Sequence, residues 1–496
     1  MKKNQILLNA LTTLVQVVGT AGALFFLYRF LIRTIGIERL GIWSLVLATT
    51  SVVTLANQGF STSIVKFVAK YVAKQQAEDV SALVQTALLS IGIGLAVISI
   101  GLYPAARWIL RIVLPHAYLA EAAAILPYAL ASLWINLLAS IVQAGLAGHE
   151  LITHRNYVVL GSSVGYLVLA WLLVPQFGLL GLAYSQTVVA AGGFLIAWVL
   201  LRRCIPLLPF IPRRWSLVLF REMANYGLQF QLITIGQAVR EPATKALLAK
   251  FGGLAMTGFY DMAMRWVITF RELIVQANQV LVPTVASLQE RDPKSVPVIY
   301  RESYRLIFFL AVPTFAFLTA MAPVVSRIWL GHYEPLFVRF VGLLAVGWLV
   351  NILSNPAYVV DVGTGKLKWV SIGCGVTAIL NISIGFVAGK YLGGDAVVVS
   401  SVGCLILGYA IVLASYHLTN RVPFAALWPN KSAGILASSL VAALIFLPLF
   451  RVSARFRLFP FPIAASFALI ALLFVPMWIH PMRKRLMDWV LSRSPA

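Results

Sequence analysis

Residues 396–418 read AVVVSSVGCLILGYAIVLASYHL, a run with no Asp, Glu, Lys or Arg. As an α-helix it extends about 34 Å, slightly more than the roughly 30 Å hydrocarbon core of a bilayer. One such run also suits a buried core helix, but about fourteen do not. The others lie at 7–31, 41–62, 80–103, 122–146, 156–174, 178–201, 225–249, 257–282, 304–326, 337–360, 368–389, 433–450 and 461–479. Of the 496 residues, 60% are hydrophobic and 11% charged, too apolar a balance for a soluble surface to hide. The reading is an all-α polytopic membrane protein of about 14 transmembrane helices.

The formal charge of +23 would point to nucleic acid in a soluble chain. Here Lys and Arg gather in alternate connections, which is the positive-inside pattern, and no extramembrane domain exists to hold nucleic acid. Lys2/Lys3, Lys66/Lys70/Lys74, the 202–214 linker, Arg291 to Arg305, Lys366/Lys368 and Arg483/Lys484/Arg485 fall on one side. That side is the cytoplasm, and both termini lie there. Arg451, Arg455 and Arg457 fall on the other side. Either the last pair of spans is drawn wrongly or these arginines have a separate task. The run Ile6 to Leu31 is too long for a signal peptide and reads as a retained helix. Cys204, Cys374 and Cys404 have no paired spacing and read as small core residues.

The chain repeats itself. Gly36-Ile37-Glu38-Arg39-Leu40-Gly41 precedes Ile42-Trp43, and Gly253-Leu254-Ala255-Met256-Thr257-Gly258 precedes Phe259-Tyr260. Ala56-Asn57-Gln58 and Ala277-Asn278-Gln279 follow in the same order. Six spans separate the copies, so the repeats run parallel. Two six-helix lobes follow, residues 1–214 with the basic linker and 215–420. Residues 421–496 add two helices and an amphipathic tail at 484–490.

Polar side chains inside spans are costly and therefore informative. Span one aligns Gln5, Asn9, Thr12, Thr13, Gln16 and Thr20, and span two aligns Thr50, Thr54, Asn57 and Ser61. The Ser and Thr members suit plain helix packing, whereas the amides of Gln16 and Asn57 need several partners each. Span seven gathers Thr234, Gln237, Glu241, Thr244 and Lys245 beside Arg240. In span eight Asp261, Arg265, Glu272 and Gln279 share a face, with Gln276 and Arg271 adjacent. One reading is a set of locking ion pairs, Glu241–Lys245 and Asp261–Arg265. The other is a hydrated cavity wall in which cations outnumber acids, suited to a phosphate that Arg grips with two hydrogen bonds. Arg107 and Arg111 around Trp108 suggest an interfacial turn. The chain contains no P-loop and no His-Glu-x-x-His, and its scattered histidines suggest no metal site. It reads as no enzyme, with no cofactor.

Gly36-Ile37-Glu38-Arg39-Leu40-Gly41-Ile42-Trp43, Asn57-Gln58-Gly59-Phe60 and Lys66-Phe67-Val68-Ala69-Lys70-Tyr71 resemble the opening of polysaccharide-biosynthesis membrane proteins. These are the oligosaccharide flippases of the multidrug/oligosaccharidyl-lipid/polysaccharide exporter superfamily. The resemblance covers spans one to twelve and fades after about residue 430. It implies that spans one, two, seven and eight line a cavity through which a polyprenyl-pyrophosphate-linked oligosaccharide passes from the cytoplasmic to the outer leaflet. Arg240, Lys245, Arg265 and Arg271 would hold the diphosphate, and Gln16, Asn57, Gln237 and Gln279 the sugar. Glu241, Asp261 or Glu272 would couple the cycle to H⁺ or Na⁺, unless it is ion-independent. The implied setting is a bacterial inner membrane, with membrane lipids and glycan polymerases or glycosyltransferases as partners. A multidrug or organic-cation antiporter of the same superfamily is the alternative, though spans one to six hold no buried carboxylate. A non-transporting scaffold for glycan-assembly enzymes is the third reading.

The basic-loop alternation predicts that reporters fused after Ala496 and inserted in the 202–214 linker both read cytoplasmic. An external signal from either contradicts the topology.

Overall fold

The computed structural model describes residues 3–50, 63–65, 67–68, 71–72, 74–149, 151–279, 295–364, 366–423, 425, 428, 432–456 and 461–483. Within these, the side chains of 3–11, 14, 225–238, 276–279, 453–456 and 461–463 are outside the description. The helices are α1 (Lys3–Ile35), α2 (Ile37–Thr50), α3 (Ala77–Val113), α4 (His116–Gly148), α5 (Ile152–Phe177), α6 (Leu179–Cys204), α7 (Leu217–Phe251) and α8 (Leu254–Gln279). They continue with α9 (Val296–Leu330), α10 (Pro335–Thr364), α11 (Lys368–Leu392), α12 (Gly394–Thr419) and α13 (Ala433–Val441). A short π-helical segment (Ala442–Phe446) joins α13 to α14 (Leu447–Phe456), and α15 (Phe461–Ile479) follows. No strand occurs among the described residues. An all-helical chain is what a bilayer demands, since helices satisfy their backbone groups internally.

Ten of the described helices are long and apolar enough to cross a membrane, and Ala464–Ile479 is a shorter apolar helix. Prolines inside several helices, such as Pro104, Pro127 and Pro356, interrupt none of them, as membrane helices tolerate. Hence Arg107, Trp108 and Arg111 form no turn. α3 runs past Pro104 to Val113 and leaves all three exposed. Cys374 and Cys404 are buried as expected, but Cys204, the last residue of α6, is exposed.

The chain forms two compact units, Met1–Gly258 and Phe259–Ala496. In the first, α1 packs on α5, α4 packs on α3 and α6, and α7 packs on α2 and α3. Its core joins Val84, Leu88 and Ile91 of α3 to Ile141 and Leu146 of α4 and Leu201 of α6. In the second unit α10 packs between α9 and α12, and α11 packs on α12. The C-terminal helices dock on α9, where Ala320 meets Phe450, Leu469 and Leu473. Arg451 is exposed on α14, while the side chain of Arg455, all of Arg457 and the 484–490 tail lie outside the described residues.

The repeated motif makes the same turn twice. Gly36 (φ 83°) separates α1 from α2, and Gly253 (φ 86°) separates α7 from α8. Both adopt the left-handed conformation that glycine reaches without a steric penalty. Five residues after each turn a second glycine meets the other copy's backbone. A Cβ on Gly41 would overlap the carbonyl oxygen of Leu254, and one on Gly258 would lie 2.7 Å from the carbonyl oxygen of Ile37. The contact is reciprocal, position for position. Between the two glycines of the first copy, Tyr118 donates to Glu38 Oε2 at 2.6 Å and Arg39 pairs with Glu121 at 3.1 Å. Both contacts fasten the start of α2 to the start of α4, and Leu40 and Ile42 are fully buried.

Gly41→Ala and Gly258→Ala should each lower stability by about 1–3 kcal/mol, because neither backbone can yield to a methyl group. Gly94→Ala, which meets no atom within 4 Å, should be neutral or slightly stabilising. Thermal unfolding of the purified variants in detergent checks this, and equal midpoints for Gly41→Ala and Gly94→Ala contradict it.

Candidate functional site: the polar faces of α1, α7 and α8

α7 and α8 are the least apolar of the long helices. α8 does not qualify as a span by composition, although it is long enough to be one. The charges responsible form pairs on a helical spacing. In the first unit Lys245 Nζ lies 2.9 Å from Glu241 Oε1, one turn earlier on α7. In the second unit Arg265 Nε lies 3.2 Å from Asp261 Oδ2, one turn earlier on α8. Both pairs anticipated as locks are therefore formed.

Each pair has one buried and one accessible member. The Lys245 side chain is 6% exposed and that of Glu241 43%, while Asp261 is 3% exposed and Arg265 37%. The first pair thus shows its acid and the second its base. Among the four cations anticipated for an anionic ligand, Arg265 is the most exposed. Arg240 and Lys245 are buried, with Thr244 donating to the Arg240 carbonyl at 2.9 Å.

Arg271 is held on three sides. Its Nε donates to Asn351 Oδ1 at 2.7 Å and its Nη1 to Glu272 Oε1 at 2.5 Å. The guanidinium stands 4.8 Å from the Trp348 ring centroid, a cation–π distance. Trp348 in turn directs its indole N–H to Met264 Sδ. α10 therefore fixes both the height and the orientation of Arg271, and Glu272 remains 43% exposed.

α1 spends most of its polar stripe on α5. Asn156 donates to Thr12 and Thr13 at 3.3 and 2.9 Å, Thr12 meets Thr153, and Thr20 meets Ser163 at 3.2 Å. This is helix packing through small polar residues. Gln16 differs. It is half-buried and gives only a long 3.4 Å contact to Thr20, weak by hydrogen-bond standards. Gln237 and Gln279 lie on α7 and α8, but their side chains are outside the description, as is all of Asn57.

Two groups in α10 escaped the sequence reading. Asn351 is 3% exposed and carries the contact to Arg271. Asp361 is 7% exposed, and its carboxylate accepts no hydrogen bond from a described residue. Lys366, Tyr300 and Tyr416 lie within electrostatic reach of it. Nearby, Tyr300 Oη is 2.7 Å from His417 Nε2, linking α9 to α12. The criterion already applied to Gln16, an amide inside an apolar span, would have found Asn351. Among the described residues no group of three His, Cys, Asp or Glu suits a metal ion.

Solved structures share this fold. A multidrug resistance transporter of the MATE family in the MOP superfamily, in an inward-facing conformation, matches with TM-score 0.68 at 14% identity. The match covers 82% of this chain and 98% of that one. The lipid II flippase MurJ in an inward closed conformation matches with TM-score 0.67 at 11% identity, over 94% and 99%. A MOP-superfamily transporter from Pyrococcus furiosus, described as having a binding pocket of reversed polarity, matches with TM-score 0.62 at 13% identity, over 86% and 96%. The fold is that of the MOP-superfamily transporters, and the chain is a multi-pass membrane protein. Residues 30–333, more than half of the chain, match the polysaccharide biosynthesis protein family, and the chain belongs to that family. No functionally curated protein matches it in sequence.

Arg265→Ala would leave Asp261 buried without its cation. Stability should fall by about 1–3 kcal/mol, moderated by the partial exposure of the pair. Asp261→Asn combined with Arg265→Asn should recover most of the loss in a thermal-unfolding measurement. A single Arg265→Ala protein as stable as the wild type contradicts the pairing.

Proposed function

We propose that this protein is a flippase that carries a polyprenyl-pyrophosphate-linked oligosaccharide from the cytoplasmic to the outer leaflet by alternating access, for cell-surface polysaccharide assembly. The observation that carries the reading is the concentration of ionic side chains on α7 and α8 of a chain in the polysaccharide biosynthesis family. A diphosphate and its sugars cannot cross hydrocarbon unaided, whereas a lipid tail can stay in the bilayer while its head group passes. Arg265 and Arg271 are the leading diphosphate ligands, since a guanidinium offers paired donors to phosphate oxygens. Lys245 and Arg240 are further proposed ligands for the diphosphate. Gln16, Asn57, Gln237 and Gln279 offer hydrogen bonds to hydroxyls. Asp261, Glu241 and Glu272 are the proposed coupling groups for H⁺ or Na⁺. Bacterial inner-membrane residence, cytoplasmic termini and company with glycan polymerases or glycosyltransferases belong to the same proposal.

The antiporter alternative lacks a carboxylate where it would need one. Among the described residues of α1 to α6, none of the acids is buried.

Flipping of a fluorescent polyprenyl-pyrophosphate oligosaccharide by purified protein in liposomes tests the reading. Arg265→Lys should slow flipping about tenfold with membrane abundance nearly constant, and Arg265→Ala should slow it further per molecule of protein reconstituted, as expected on losing charge-assisted hydrogen bonds. Full flipping by the Asp261→Asn, Arg265→Asn protein would remove Arg265 from the substrate site, whereas normal abundance without flipping keeps it there. Wild-type liposomes that flip no faster than empty ones overturn the function itself.

A further inference from the structure

The first unit carries an apolar groove lined by none of the candidate site residues. It runs between α3, α4 and α6, encloses about 510 Å³, and is walled by Leu89, Ile93, Trp134, Leu195 and Phe210. A second hollow of about 390 Å³ shares Ala96, Ile100 and Trp134 with it and continues along α3 to Tyr103. From Leu88 to Tyr103 the helix rises about 22 Å, more than the roughly 15 Å of hydrocarbon in one leaflet. The groove is long enough to take an acyl chain for its full length.

One end is closed by the linker between α6 and α7, and hydrogen bonds lay that linker along α3. Gln85 Oε1 accepts from the backbone N–H groups of Arg213 and Arg214 at 2.9 and 3.1 Å. Ser81 donates to the Leu207 carbonyl at 3.0 Å, and Trp215 donates to Ser90 at 2.8 Å. Phe210, Ile211 and Trp215 are nevertheless 60%, 61% and 52% exposed, as suits the membrane interface. Arg202 and Arg203 lie in the last turn of α6, and Arg213 and Arg214 in the linker. Arg202 stands 5.3 Å from the ring centroid of Phe210, a groove residue, and its Nε donates to the Leu208 carbonyl. Among the described residues none of these four arginines meets a carboxylate.

We propose that this groove is a binding site for an anionic phospholipid of the linker-side leaflet, its acyl chain along α3 and its phosphate among the four arginines. Charge complementarity selects the occupant. Arg202 beside Phe210, with three further arginines close by in sequence and no carboxylate on any of them among the described residues, matches a phosphate attached to a hydrocarbon chain, and basic pockets between membrane helices recognise such head groups. A zwitterionic lipid fills the channel but gains less from the arginines, and a free phosphate gains nothing from the channel.

The test is native mass spectrometry of the protein extracted from bilayers of equal phosphatidylglycerol and phosphatidylcholine. The wild type should retain phosphatidylglycerol in preference to phosphatidylcholine. The Arg202→Gln, Arg203→Gln, Arg213→Gln, Arg214→Gln protein should lose that preference at least about tenfold. Ala96→Phe, which obstructs the junction of the two hollows, should retain neither lipid. Should Ala96→Phe fold poorly, Val97→Trp, at a position 65% exposed and lining the same groove, serves in its place. Equal retention of the two lipids by the wild type overturns the proposal. So does an unchanged preference in the arginine variant, or full retention in the obstructed one. Because the readout is binding, it stands or falls separately from flipping.

Discussion

Two backbones touch where two glycines remove the side chains that would keep them apart. Gly41 rests on the carbonyl of Leu254, and Gly258 on that of Ile37. Close approach of this kind holds membrane helices together where no hydrophobic drive exists between them. Nearly every residue of the first motif copy serves it. Gly36 makes the left-handed turn, Glu38 and Arg39 fasten the new helix to α4, and Leu40, Ile42 and Trp43 are buried. The charges of that motif thus hold α2 to α4.

Those faces follow a different rule. An ion pair wholly inside an apolar core seldom improves stability over apolar replacements, so its presence calls for a reason. In α7 and α8 each pair buries one member and exposes the other. The buried ion holds its partner in a fixed place, and the exposed ion keeps part of its charge available. Arg271 is placed by another route, through an amide and an indole on α10. A side chain held in this way has little freedom left to lose on binding any ligand, which is how preorganisation favours binding.

The all-helical membrane class and the repeated glycine motif were legible in the sequence because both are local properties. Hydropathy needs only a window of about twenty residues, and the repeated glycine motif needs only the order of letters. The pairs Glu241–Lys245 and Asp261–Arg265 were legible for the same reason, since residues four apart on a helix are neighbours before any tertiary packing. The continuation of α3 past Pro104 was not, because an interior proline is tolerated only where surrounding helices support the freed backbone group.

Which ion of a pair faces outward was also illegible, since periodicity defines a face but not what covers it. Thr12, Thr13 and Thr20 look like a polar lining in projection, yet α5 takes up their hydroxyls through Asn156 and Ser163. Arg271 depends on Asn351, eighty positions along the chain, and no local pattern links the two. The sequence by itself therefore determined the membrane class, the repeat and the residues that carry charge. Tertiary structure alone decided which of those charges are buried and which stay exposed, because burial depends on neighbours that only folding brings together.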